Sequence, residues 1–218
     1  MKKQIKLFSV LLLSGIAFAQ AQRAEALLDE VSESLAQFDN ISITFTYELV
    51  NRKELIQQKE KGSLIIQGDA YLLKLMGIEQ LSDGTNKHTI NPDNQEVLIE
   101  PLSDGFDDGL SPSKIFSFYK QGYRFEWDIT QPLYGGRKIQ YIKLIPIDTY
   151  AQASHLLLGI DTKTKQIYKL IEVGNDGTET MLTIGSFKSN VEIPTNTFVF
   201  WCLCQAVNGK PAHRCQWE

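Results

Sequence analysis

The sequence predicts an α+β protein, one amphipathic helix followed by a single long antiparallel sheet that curls. Three observations carry that reading. Residues 23–38, RAEALLDEVSESLAQF, space their apolar side chains at helical intervals. From residue 41 onward, short segments of alternating apolar and polar residues are separated by tight reversals, giving about ten strands. Several of those segments are apolar on both faces, so the sheet needs cover on both sides or a hollow lined by one.

The N-terminus, MKKQIKLFSVLLLSGIAFAQAQ, has a basic start at Lys2, Lys3 and Lys6, a mostly apolar run over 7–18, and a small-x-small cleavage signal at Ala17-Phe18-Ala19 or Ala19-Gln20-Ala21. This is the pattern of a secretory signal peptide over 1–21, too short to span a bilayer. No cysteine lies near the cleavage site to carry a lipid anchor, so the mature protein is expected to be soluble and outside the cytoplasm. Loss of the three lysines takes the formal net charge from −4 to −7, which argues against nucleic acid and anionic membrane surfaces as partners. Residues 22–200 read as one domain with a real core. It holds none of the three cysteines, so it stands on packing and backbone hydrogen bonds.

Within the first helix, Ala24, Leu27, Leu28, Val31, Leu35 and Phe38 form the apolar stripe, Glu25, Asp29, Glu30 and Glu33 the polar face, and Asp39-Asn40 the stop. In the next segment, ISITFTYEL, Ile41, Ile43, Phe45, Tyr47 and Leu49 alternate with polar residues, the signature of a strand with one oily face. Residues 62–68 and 71–76 form a hairpin about Gly68-Asp69, with Leu64 and Ile66 on one strand and Tyr71, Leu73 and Leu75 on the other. Reversals at Asp83-Gly84 and Asn91–Asn94 extend the meander. An acidic loop at 103–109 leads to a second, short helix over 111–121, with a Ser N-cap, Pro112 in its first turn and Gly122 as its stop. Strands are then expected over 123–129, 137–146, 155–161, 166–173 and 178–187. In KIQYIKLIPI, Ile139, Tyr141 and Ile145 oppose Ile142 and Leu144, so this strand is apolar on both faces.

Signals for catalysis are poor. His88 and His155 sit in or beside strands with no nucleophile-elbow or metalloprotease context. Asp107 and Asp108 lack the alternating acids and closing glutamate of a calcium loop. The tail over 201–218, CLCQAVNGKPAHRCQWE with Trp201 before it, gathers Cys202, Cys204, His213 and Cys215. Their spacings are tighter than zinc knuckles use, so no metal and no cofactor is expected. A local disulfide with one free thiol, an unstructured end and a non-native end all remain open for this tail.

The order of these features resembles the LolA-type outer-membrane lipoprotein carrier family, in its Bacteroidetes-like form. The segments that carry the resemblance are FTYEL, GSLIIQGDAYLLKLMG, LSDGTNKHTINPDNQEV, PSKIFSFYKQGYRF, IDTKTKQI and NTFVF, over roughly residues 23–200. The resemblance implies an unclosed antiparallel β half-barrel covered by helices. It implies a periplasmic chaperone, not an enzyme and acting as a monomer, whose apolar hollow holds the acyl chains of lipoproteins. Such a carrier takes outer-membrane-destined lipoproteins from an inner-membrane lipoprotein-releasing ABC transporter and passes them to an outer-membrane acceptor.

Carried over by position, the resemblance makes Ile43, Phe45, Tyr47, Leu64, Ile66, Tyr71, Leu73, Leu75 and Ile90 the acyl-contacting residues, with Ile115, Phe116 and Tyr119 on a movable lid. On periodicity alone, those last three read as core packing under a helix. His88 and Ile90 stand where the family often has Trp and Tyr. Gln67-Gly68-Asp69 stands where many members place a lid-latching arginine, and the tail after Phe200 departs from the family's ending. A lipid- or lipoprotein-sensing adaptor of the same shape is the alternative, and a secreted hydrolase using His88 or His155 a more distant one.

Overall fold

The structure, a computed structural model, describes residues 20–94, 96–102 and 115–200, with the backbone of 203–204 and 215–216. Residues 1–19 of the expected signal peptide, the acidic loop, the start of the second helix and most of the tail lie outside those residues. Helix α1 covers residues 20–35. Eleven strands follow: β1 (Ile41–Asn51), β2 (Ile56–Gln67), β3 (Ala70–Leu75), β4 (Ile78–Asp83), β5 (Asn86–Asn91), β6 (Glu96–Pro101), β7 (Tyr123–Pro132), β8 (Lys138–Pro146), β9 (Ala153–Asp161), β10 (Ile167–Gly174) and β11 (Glu179–Ser189). They form one sheet in the order β6-β5-β4-β3-β2-β1-β11-β10-β9-β8-β7. Strands β6 and β7 are its two edges, so the sheet is not closed. Leu203–Cys204 and Cys215–Gln216 pair as a separate two-stranded ladder with Cys204 opposite Cys215.

By contacts the chain divides into two units that interleave along the sequence. The described residues of the first fall in 20–37, 48–58 and 116–183, and those of the second in 38–47, 59–102, 115 and 184–200. In the first, Ala24, Leu27, Leu28 and Val31 of α1 are buried, as the helical stripe requires. The helix stops short of the predicted residue 38. Phe38 instead packs against Phe187 in the second unit, ring centroids 5.9 Å apart.

Two further expectations are corrected. Strand β2 starts at Ile56 rather than 62, because its first half is polar and exposed on both faces and carries no periodic apolar signal. The helix predicted to reach residue 121 is, from 115 onward, a turn and a single 3-10 turn at Phe118–Lys120. Phe116, Ser117, Phe118 and Tyr119 are weak helix formers, and burial of Phe118 and Tyr119 decides the local backbone. Both rings pack edge-on, Phe118 lying 5.7 Å from Tyr119 and 5.9 Å from Tyr123.

Strand β8 is buried on both faces, as read from its sequence: Ile139 and Tyr141 on one, Ile142 and Leu144 on the other. Buried Gln140 serves a bulge in β7, where the pairing shifts between Trp127 and Thr130. Its Nε2 donates to the carbonyls of Asp128 at 2.7 Å and Tyr141 at 2.8 Å, occupying groups the broken ladder leaves free.

Asp161, 2% exposed, closes the β9–β10 turn. Its carboxylate accepts from Arg137 Nε at 2.8 Å and from the backbone N–H groups of Lys163 at 2.9 Å and Thr164 at 3.2 Å. Burial alone would raise its pKa, but these donors hold it below the ordinary 3.8. A depressed carboxylate contributes stability in full above its unfolded pKa and loses it as pH falls through the folded value. Asp161→Asn, which keeps the turn's acceptor and removes the charge, is therefore expected to cost about 1.5–3 kcal/mol at neutral pH. It should also flatten the fall in Tm below about pH 4, measured by thermal melts across an acid series.

Candidate functional site

In the second unit, strand alternation collects one oily face. Leu64 pairs with Leu73 and Ile66 with Tyr71, and cross-strand partners share a face. Gly62 lies on the same face as Leu64 and Ile66. A Cβ on it would come 2.4 Å from Cζ of Phe45, so the Phe45 ring sits directly over this glycine. Ile43, Phe45, Leu64, Ile66 and Tyr71 are buried. Tyr47, Leu73 and Leu75 are half-buried. Burial pushes the Tyr71 hydroxyl up to about 12, and that hydroxyl donates to Gln80 Oε1 at 3.0 Å.

Past Ile78, which pairs with Leu75, this face turns polar through β4 and β5. Leu73 pairs with Gln80, Tyr71 with Ser82, and Gln80 with Thr89. The buried apolar side chains of β4 and β5, Leu81 and Ile90, lie on the opposite face with His88, since Leu72 pairs with Leu81 and Leu81 with His88. The register thus separates Ile90 from the other eight strand residues named from the sequence. Phe200 stacks on His88 at 4.8 Å, and among the described residues the buried Nδ1 of His88 has no hydrogen-bond partner.

In the first unit, pairing assembles a row that no single segment of sequence displays: Trp127, Ile142, Leu158, Leu170 and Leu182, one from each of β7 to β11. Helix α1 covers its β7 end, with the Arg23 guanidinium 4.1 Å over the Trp127 ring. Ser32 of α1 also meets Tyr119, Oγ to Oη 3.1 Å. Burial raises the Tyr119 hydroxyl's pKa and the Ser32 contact opposes the rise. Of the three lid residues named from the sequence, Tyr119 is 1% exposed and locked in this packing, while Ile115 and Phe116 are half-buried.

Along that row burial changes while chemistry does not. Ile142 is 0% and Leu158 1% exposed, whereas Leu170 and Leu182 are half-buried. Strand β11 has no buried residue from Glu179 to Ile184, nor β10 from Tyr168 onward. Both stand inside the strand order, flanked by partners on either side.

The clefts formed by described residues include two that each lie within one unit. The first, about 490 Å³, is lined by Tyr150, Gln152, Glu172, Asp176, Thr178, Thr180 and neighbours. The second, about 450 Å³, lies at the β3–β4 hairpin and includes Leu75, Met76 and Ile78.

No family model matches the sequence, and no curated protein matches it. Solved structures do. An uncharacterised conserved protein from Thermus thermophilus superposes with a TM-score of 0.55 at 12% identity, covering 82% of this chain and 94% of that one. A DUF1329 family protein from Desulfovibrio piger gives 0.50 at 9% identity, covering 82% and 97%. A LolA superfamily protein from Nitrosomonas europaea gives 0.43 at 11% identity, covering 81% and 97%. The chain shares the fold of the Thermus and Desulfovibrio proteins. That fold is the single unclosed antiparallel sheet expected from the sequence, and at these identities the likeness concerns fold alone.

Among the described residues little resembles catalytic machinery. Ser154 Oγ lies 3.0 Å from His155 Nδ1, but its proton is committed to the Val173 carbonyl at 2.9 Å. Burial and Lys143 lower the His155 pKa against the opposing pull of Asp128, yet among the described residues no carboxylate bonds this imidazole to orient it as a triad base requires. Among the described residues no group of three His, Cys, Asp or Glu side chains is placed to hold a metal.

Proposed function

We propose that this chain is a periplasmic chaperone that binds the acyl chains of lipoproteins and carries them from the inner to the outer membrane. The observation that carries this reading is the row ending at Leu170 and Leu182. An apolar row that leaves its own cover without turning polar exposes oil to water at a cost of about 25 cal/mol per Å². A guest chain removes that cost. Burial of an acyl chain is worth about 0.8 kcal/mol per methylene, roughly 12 kcal/mol for fifteen. A carrier that captured all of it would never release its cargo, so a partly covered surface suits transfer better than a closed pocket.

In this reading the second unit offers an acyl-contacting face of its own, at half-buried Tyr47, Leu73 and Leu75. Ile43, Phe45, Leu64, Ile66 and Tyr71 form the wall behind them. Ile115 and Phe116 belong to the moving cover, and Tyr119 is its fixed base. The partners are a lipoprotein-releasing ABC transporter on the donor side and an outer-membrane acceptor on the other. The test is mass spectrometry of the protein purified from an envelope fraction. Co-purifying lipoprotein or acyl lipid is the expected result. An empty protein that turns over generic ester substrates would overturn the reading.

A further inference from the structure

The first unit's polar cleft lies on the same sheet face as its apolar row. Glu172 pairs with Leu156 on one side and Thr180 on the other, and Leu156 stands two residues from Leu158. Side chains two apart on a strand share a face. The face therefore reads Leu158, Leu170, Leu182 in one row and Leu156, Glu172, Thr180 in the next, where it opens into the cleft of about 490 Å³. Apolar lining stops and a carboxylate begins within one step of the strand.

The cleft is framed by turns that are bonded to one another. Asn175 in the β10–β11 turn donates from its backbone N to Gln152 O and from Nδ2 to Ala151 O, both at 2.9 Å, tying that turn to the β8–β9 loop. Asp176 accepts from the backbone N and hydroxyl of Thr178, each at 2.8 Å. These bonds hold the Asp176 carboxyl below the usual carboxylate range. Lys53 donates to the Asp176 carbonyl at 3.1 Å, bracing the turn from the β1–β2 side. Glu172 is different: it is exposed, and among the described residues it makes no hydrogen bond and no ion pair, its charge adding to burial in raising the pKa of the Tyr123 hydroxyl. Among the described residues the lining thus presents two carboxylates, hydroxyls and two amides, and no cationic side chain, Lys53 standing behind the turn.

We propose that this cleft is the head-group end of the acyl site, taking an N–H-donating head such as a peptide amide or an ammonium, and turning away an anionic one. The inference rests on the carrier reading and adds a selection rule to it. A chain that crosses the Leu158–Leu170–Leu182 row in the strand direction brings its polar end to the next row, at Glu172 and Thr180. A peptide or amine head supplies donors for those acceptors, whereas a free fatty-acid carboxylate meets like charge.

The test uses the full protein and three acyl ligands of one chain length: an N-palmitoyl tetrapeptide amide, palmitoyl lysophosphatidylethanolamine and palmitate. Each displaces the neutral probe N-phenyl-1-naphthylamine. Wild type is expected to prefer the palmitoyl peptide over palmitate by about tenfold. Glu172→Gln should shrink that ratio to about threefold or less while the probe binds unchanged. If lysophosphatidylethanolamine shares the Glu172 dependence, the head recognised includes a lipid amine. If only the peptide shares it, the head is peptidic. Equal binding of peptide and palmitate to wild type, or a ratio untouched by Glu172→Gln, overturns the inference and leaves the carrier reading standing. Failure of every chain and of the probe to bind overturns the carrier reading and this inference with it.

Discussion

Gly62→Ala is expected to destabilise the protein by about 1–3 kcal/mol, the cost of overpacking a filled site, and to land at the upper end of that range. The added Cβ would stand 2.4 Å from Phe45 Cζ, 2.6 Å from Phe45 Cε2 and 2.9 Å from the backbone oxygen of Lys74. A flexible side chain could yield, but Phe45 is a rigid ring only 3% exposed, and the Lys74 carbonyl belongs to β3, which pairs with β2. Neither neighbour can give without breaking packing or ladder. In a chain of this size each kcal/mol moves Tm by roughly 2–4 °C, so thermal melts should show the drop clearly. The double variant Gly62→Ala with Phe45→Leu should recover part of the loss, because the clash is with the ring. A Gly62→Ala protein as stable as wild type would mean that Phe45 does not cover this glycine.

The second large effect is functional rather than structural. Leu170→Asp places a charge in the middle of the row where its own cover ends. The side chain is half-buried, so it keeps access to water and the fold should survive with unchanged far-UV circular dichroism. Binding of an acyl chain that must lie across the row is expected to fall at least about tenfold, or 1.4 kcal/mol. Leu170→Met, which keeps volume and apolarity, should bind as wild type does. Leu158→Asp makes the contrast: with Leu158 1% exposed, the same charge should unfold the first unit rather than merely weaken binding. If Leu170→Asp binds acyl chains normally, the row is not the contact surface.

The strands were legible where their signal was local. Ile41 to Leu49 alternate cleanly, and Ile139 to Ile145 are apolar on both sides, so β1 and β8 could be read from single segments. What failed to show was whatever depends on register between segments. Ile90 was named as a lining residue through the resemblance, carried over by position, but its face depends on the pairing carried through three hairpins, each of which sets parity. The pairs Leu75 with Ile78 and Leu81 with His88 place it opposite Leu64 and Tyr71. The row from Trp127 to Leu182 was hidden for the same reason, since it takes one residue from each of five strands and its β7 member follows from a register that shifts just after Trp127. The polar start of β2 had no apolar period to detect. Around Phe118, helix-like apolar spacing lost to aromatic packing, which a sequence does not display.

The central claim is that this sheet leaves an oily surface for a guest acyl chain. Its most direct test is titration of the purified protein with an N-palmitoyl peptide amide against bound N-phenyl-1-naphthylamine, beside the N-acetyl peptide as control. The account predicts saturable displacement by the palmitoyl peptide, none by the acetyl peptide, and loss of displacement in Leu170→Asp. A wild-type protein that binds neither probe nor palmitoyl peptide would contradict it.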